Sequence, residues 1–348
     1  MQETKLKSPC FCTVLLAALM CFCGLFSIRA SAFDKELVPM GCVVGLQLQA
    51  DGVVVAGLSS GDSGAASPAG QAGILPGDII VKLGGQCVTT AEDFISAAGM
   101  LDGSATSLTV RRGDRAIQFT VTPVQASDGV WRLGLILRDG ITGVGTVTFI
   151  EPDTGFFGAL GHGVPGCENG EMLPLSSGFI ADAEIVDVQK GTPGTPGELH
   201  GTFDLSSIKG SIDINSSCGI FGTMSTDTAS LRDAVPVASA SEIELGSAVI
   251  LANVSGADVK EYTIEITRLY KNDSLERDMM ISVTDPALLE ATGGIVQGMS
   301  GSPILQNGKL IGAVTHVLVN DPARGYGISI ENMLQMSKSG AENAADAA

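Results

Sequence analysis

Short apolar runs that alternate with polar residues, broken by glycine, dominate this chain. Met40-Gly41-Cys42-Val43-Val44-Gly45-Leu46-Gln47-Leu48 reads as a glycine-punctuated turn entering a half-buried strand, and Gly52-Val53-Val54-Val55-Ala56-Gly57 as a second strand. Residues 67–80 predict a short helix, a Pro76-Gly77 turn and a strand. Thr89-Thr90-Ala91-Glu92-Asp93-Phe94 opens a helix with a threonine cap and acid in its first turn. Residues 107–112 and 116–121 alternate as a pair around Gly113-Asp114. Further strands are predicted at 131–137, through Ile150, at 249–253 and at 262–269. Pro303-Ile304-Leu305 faces 309–317 across Asn307-Gly308, a strong two-residue hairpin signal. The period is two almost everywhere, so the fold is expected to be mainly β.

Composition sharpens this. Of 348 residues, 45 are glycine and only 5% are aromatic, which suits many short strands and tight turns rather than a helical bundle. The length suits two domains better than one. The formal net charge is −18. Such an acidic body is repelled by phosphate backbones, so nucleic acid is not an expected partner.

Lys5 and Lys7 precede an apolar run from Cys10 to Ile28, followed by the small-x-small site Ala30-Ser31-Ala32. Residues 1–32 are therefore expected to be a signal peptide or an initial membrane anchor that exports the rest of the chain. Four of the eight cysteines lie in this segment. Cys42, Cys87, Cys167 and Cys218 remain for the exported body, and their disulfide pairing is left open. No cysteine or histidine spacing suits a metal, and no cofactor is expected.

Ala72-Gly73-Ile74-Leu75-Pro76-Gly77-Asp78-Ile79-Ile80 and the elements around it resemble the PDZ domains of bacterial exported proteases, over residues 33–125. That resemblance implies a turn at Gly45 and Leu46 whose amides receive a peptide carboxylate, the peptide adding as a strand. Gly61-Asp62-Ser63-Gly64 imitates a nucleophile motif. However, His162, His200 and His316 all lie far downstream, and Ser63 reads as an ordinary loop residue.

The chemistry lies in residues 126–336. Phe156-Phe157-Gly158-Ala159-Leu160-Gly161-His162-Gly163 places a histidine between glycines, open to close approach and suited to general-base work. Gly294-Ile295-Val296-Gln297-Gly298-Met299-Ser300-Gly301-Ser302-Pro303 offers a serine on a tight turn, with the amides of Gly298 and Ser300 placed for an oxyanion hole. This turn and the strand pair after it resemble the nucleophile region of chymotrypsin-like peptidases. Met299 stands where many of them carry Asp, so activation through an N-terminal ion pair is not expected. Ser302 is expected to support the turn.

Together, the leader, the PDZ-like stretch, Gly161-His162 and residues 294–303 resemble the stage IV sporulation protein B (SpoIVB) peptidase family over about residues 1–336. The resemblance implies a PDZ domain followed by a chymotrypsin-like β-barrel peptidase domain, then a disordered tail at 337–348. It implies an exported serine endopeptidase of sporulation that acts between the forespore and mother-cell membranes. That enzyme cleaves itself and the extracytoplasmic part of a membrane regulator of an intramembrane protease, leading to late sigma factor activation. His162 and Ser300 are the implied base and nucleophile, and Asp285 in Val283-Thr284-Asp285-Pro286 the implied orienting acid. Asp182, Asp187, Asp204 and Asp213 are alternatives for that acid. Thr315 and His316 are implied to flank substrate through their backbone, while His200 has no evident partner. The competing reading is a PDZ adaptor carrying an inert protease-like domain. The PDZ ligand is expected to be a C-terminus or a segment of the same chain.

Overall fold

The computed structural model describes residues 35–337, apart from 61–63, 65, 114, 168, 169 and 271–276. The leader, Ser63 and the tail beyond 337 lie outside the described residues. The chain forms β1 (Glu36–Pro39), β2 (Val43–Leu58), α1 (Pro68–Gln71), β3 (Ile79–Leu83), β4 (Gln86–Cys87), α2 (Ala91–Ala98), β5 (Thr106–Arg112) and β6 (Arg115–Val121). Then come β7 (Val124–Gln125), β8 (Trp131–Arg132), β9 (Leu135–Ile150), β10 (Phe156–Ala159), β11 (Leu175–Gln189), β12 (Glu198–Ser216), β13 (Gly219–Met224) and β14 (Val235–Pro236). The last third holds β15 (Gly246–Asn253), β16 (Val259–Leu269), β17 (Met279–Val283), α3 (Pro286–Thr292), β18 (Pro303–Gln306), β19 (Lys309–Leu318) and β20 (Asp321–Ser329).

Two barrels organise these strands. β15-β16-β17-β20-β19-β18 closes on itself. The pairings of the other large sheet also run in a ring, from β9 through β10, β13, β12, β11 and β2 back to β9. Closure removes the sheet edges that glycine-rich strands would otherwise expose. Each barrel has its own apolar interior. Val44, Leu46, Leu48, Phe157, Ile180 and Ile212 fill the first; Ile250, Ile264, Met279, Ile281, Ile304 and Val314 are among those filling the second. The expected hairpin at Asn307-Gly308 is present, with both residues at positive φ (52° and 75°).

A third core, with Val53, Val55, Ile74, Ile80, Phe94, Leu108 and Val110, belongs to the PDZ-like layer. Its helix α2 starts as the sequence predicts. Thr90 accepts from the Asp93 amide, and the Asp93 side chain accepts from Thr90 in return. This layer does not simply precede the peptidase. β1 and the first half of β2 come before it in the chain but belong to the first barrel, which cannot close without β2. β2 and β9 run out of that barrel and supply the layer with its own strands. Val54 pairs with Arg138 and Leu58 with Leu135. The PDZ-like layer is thus set between two strands of the first barrel.

Candidate active site

A cavity of about 470 Å³ lies between the two barrels. From the first barrel it is lined by Leu46, Gly143, Val144, Leu160 and His162, and from the second by residues 295–298, Ser300, Thr315 and His316. Residues 138 positions apart in sequence, His162 and Ser300, therefore open onto one space.

His162 reaches it through a turn at the end of β10. Leu160 and Gly161 are both left-handed, at φ 68° and 67°. For leucine this conformation costs about 1–2 kcal/mol. It is held by the Leu160 amide donating to the Thr146 carbonyl at 3.1 Å, and by burial of the leucine side chain. The His162 Nδ1 lies 2.9 Å from the Gly163 carbonyl oxygen. A carbonyl only accepts, so Nδ1 carries the proton and Nε2 keeps its lone pair in the neutral ring. Burial pushes the imidazole below its usual 6.5, with the Gly163 carbonyl opposing. The ring of His316 stands 4.8 Å away, centroid to centroid. His316 is itself held down to about 4, first by desolvation, then by His162 and Arg277.

Ser300 is presented by the link between α3 and β18. The Gln297 amide donates to the Gly197 carbonyl, and the Leu199 amide to Gln297, so the start of β12 clamps the approach. Gly298 (φ 95°) and Gly301 (φ 97°) then turn the chain. A Cβ on Gly301 would lie 2.1 Å from the Thr146 carbonyl oxygen, so the turn is pressed against the first barrel and admits only glycine. Two threonines of β9 hold it there. Thr146 Oγ1 donates to the Gly298 carbonyl at 2.7 Å, and Thr148 Oγ1 to Gly301 at 2.8 Å. The Thr146 amide also donates to the Ser300 carbonyl. Among the described residues, the amides of Gly298 and Ser300 have no protein acceptor, whereas those of Met299, Gly301 and Ser302 do. The Ser300 hydroxyl donates to the Thr315 carbonyl at 2.6 Å. Two buried hydroxyls nearby, Ser302 Oγ and Thr315 Oγ1, make no hydrogen bond. Met299 points into the second barrel's core.

The other residues singled out in the sequence lie elsewhere. Asp285 caps α3: its carboxylate accepts from the amides of Ala287 and Leu288, and from Thr263 across the sheet. Asp182 pairs with Lys209, Asp204 accepts from Ser206, and Asp213 from Ser211. Asp187 and Glu198 flank His200, at 3.8 and 3.6 Å, so this histidine has two acidic neighbours. No Asp or Glu lines the His162 cavity among the described residues.

Gly45 and Leu46 are not in a turn. They lie within β2, paired to β9 on one edge and β11 on the other, so their backbone is committed to the barrel ladder. Leu46 instead lines the cavity beside Ser300. The groove of the PDZ-like layer lies between α2 and the chain at 131–135. It is about 310 Å³, walled by Phe94, Ile95, Ala98, Trp131, Leu133 and Leu135. Gly134, at φ 73°, forms its turn, and Ser67 Oγ donates to the Gly134 carbonyl at 2.7 Å. In sequence, Arg132-Leu133-Gly134-Leu135 is an apolar-glycine-apolar turn entering a strand. That signal was legible but lay outside the stretch assigned to the layer. Thr146 and Thr148 were also missed. Their only trace is a Thr-Val-Thr stretch, in which the threonines turn out to be as fully buried as Val147.

The model of the SpoIVB peptidase S55 family matches residues 129–334, more than half of the chain. The chain belongs to this family. A PDZ domain model matches residues 61–112 of this S55 peptidase. Among curated proteins, 57 residues are 42% identical to Serine protease HTRA1 of Xenopus tropicalis, covering 16% of the chain and 12% of that protein. A stretch of 69 residues is 30% identical to Putative zinc metalloprotease CPE1693 of Clostridium perfringens, covering 20% of the chain and 21% of that protein. The chain thus spans about an eighth and a fifth of these relatives' lengths. Among solved structures, the active form of the Rv3671c protease from M. tuberculosis aligns at 16% identity and a TM-score of 0.31, over 57% of this chain and 73% of that one. The chain thus combines an S55 peptidase region with a PDZ domain.

Proposed function

We propose that Ser300 is the nucleophile and His162 the general base of an exported, self-cleaving endopeptidase. The carrying observation is the shared cavity, with a base whose Nε2 is free and two amides without acceptors beside the serine hydroxyl. A substrate peptide lies along β19, its N–H replacing the Ser300 hydroxyl on the Thr315 carbonyl. Freed from that bond, the hydroxyl turns toward His162. As Oγ bonds to the carbonyl carbon, its proton passes to Nε2. The carbonyl π pair moves to oxygen, which the Gly298 and Ser300 amides receive. The C–N bond then breaks as Nε2 returns the proton to the departing amine, and water hydrolyses the acyl-serine by the same route. The Gly163 carbonyl holds the imidazole tautomer through this cycle.

The substrate in this reading is the extracytoplasmic part of a membrane regulator of an intramembrane protease. The setting is the space between forespore and mother-cell membranes, and the outcome is late sigma factor activation. The groove beside α2 takes a peptide C-terminus or a segment of the chain itself. Family membership and the export signal support this assignment. The test is expression of residues 33–348 with and without Ser300→Ala, followed by N-terminal sequencing of fragments. Fragments are expected from the parent only, with turnover down on the order of 10⁴-fold or more in the variant. Identical fragments from both would remove the proposal.

A further inference from the structure

We infer that the residue whose carbonyl Ser300 attacks carries an uncharged, apolar side chain, seated against Ile295, Val296, Val317 and Val319. This rests on Ser300 being the nucleophile and adds the substrate class. Three groups orient the attacked residue. Its carbonyl carbon meets Ser300 Oγ, its oxygen faces the Gly298 and Ser300 amides, and its N–H faces the Thr315 carbonyl. The segments that flank these groups then wall its side chain. Residues 295–296 come just before the amides, and residues 317–319 just after Thr315. Each of the four named residues lines the same cavity, and Pro196 joins them from the β11–β12 connection.

No Asp, Glu, Lys or Arg lines this space among the described residues. The polar residues that do are His162, Ser300, Thr315, His316 and Gln297. A charged side chain seated against the buried Ile295 and Val296 would lose its hydration without gaining a counter-charge. At about 470 Å³ the cavity holds an aliphatic or aromatic side chain together with the flanking peptide. The Ile295–Val296 wall is rigid. Both residues are 2% exposed, and the Ile295 amide donates to the Pro322 carbonyl at 2.8 Å. Gly325 stands behind it, where a Cβ would lie 2.6 Å from both the Ile295 side chain and the His316 carbonyl oxygen.

The test uses the full chain and fluorogenic peptide amides that differ only in the residue before the scissile bond: Leu, Val, Phe, Lys or Asp. A fluorophosphonate probe of Ser300 runs in parallel. Labelling at Ser300, with the Leu, Val or Phe peptides cleaved on the order of 10²-fold faster than the Lys and Asp peptides, is the expected result. Labelling with Lys or Asp cleaved as fast, or with none of the apolar peptides cleaved, overturns the inference and leaves the nucleophile assignment standing. Absence of labelling removes the nucleophile assignment and this inference with it. Val319→Asp provides the second arm. Val319 is 46% exposed, so a carboxylate there stays hydrated and the fold is retained. Relative to the Leu peptide, cleavage of the Lys peptide is expected to rise about tenfold. An unchanged ratio in labelled enzyme also overturns the inference.

Discussion

The Ser300 hydroxyl donates to the Thr315 carbonyl at 2.6 Å, which ties the nucleophile to the strand along which substrate is proposed to lie. In that proposal one acceptor serves two donors in turn, the serine at rest and the peptide N–H when substrate is bound. A peptide N-methylated at the residue before the scissile bond cannot take over that carbonyl. Its kcat/KM is expected to fall about fivefold relative to the parent peptide, the worth of one hydrogen bond of about 1 kcal/mol. Equal kinetics for the two peptides would separate Thr315 from substrate binding.

Protonation of His162 is the expected acid limit of activity. Burial lowers its pKa below 6.5, so the neutral base persists as pH falls through that value. The acid limb of kcat/KM is expected to have its midpoint below pH 6.5. A midpoint above 6.5 would mean that a neighbouring anion, not burial, governs this ring.

His316 gives a stability signature of the same sign. Its folded pKa is about 4 against 6.5 in the unfolded chain, so on acidification the unfolded chain takes up the proton first. Its contribution is intact above pH 6.5, is lost progressively from there to about pH 4, and changes no further below. Urea unfolding across pH 7 to 4 is expected to show a shallower decline for His316→Asn than for the parent.

Asp285 separates two roles cleanly. As the cap of α3 it is expected to contribute about 1 kcal/mol, lost in Asp285→Ala and restored in Asp285→Ser, which caps as well. Activity should follow stability, because α3 leads through Gly293 into the nucleophile segment. A thousandfold loss of kcat in Asp285→Ser at unchanged stability would make this carboxylate the orienting acid.

Thr146 carries the link between barrels. Thr146→Val keeps the shape but leaves the Gly298 carbonyl without its donor, at a cost of about 1–3 kcal/mol. With that carbonyl released, the adjoining oxyanion turn loses its support. A drop in kcat larger than any rise in KM is expected. A variant matching the parent in both would show that the turn holds itself.

Much of this was readable from local pattern, because local pattern is what strands, caps and turns depend on. The Asn307-Gly308 hairpin, the Thr90 cap and the glycine-framed His162 and Ser300 each need only a few neighbouring residues, and all are present where the sequence predicts them. Long-range pairing was not readable. Whether Gly45 and Leu46 bind a ligand or complete a barrel depends on β9 and β11, about 100 and 135 residues away, and alternation is identical in both cases. Asp285 likewise sits in a motif that fits a triad acid and a helix cap equally well. The fold adds the amides of Ala287 and Leu288 at its oxygens, which make it the cap of α3, and the Asp285→Ser kinetics test the other role.

By itself, then, the sequence determined the β character, the glycine framing of His162 and the turn that carries Ser300, since these depend on side-chain periodicity and backbone freedom over a few residues. The tertiary structure alone decided that the PDZ-like layer is set into the first barrel, that His162 and Ser300 open onto one cavity, and that β9 threonines hold the Ser300 turn. Each of these is a contact between distant segments. Their free energy comes from closing a barrel and satisfying buried polar groups, which no local window of sequence records.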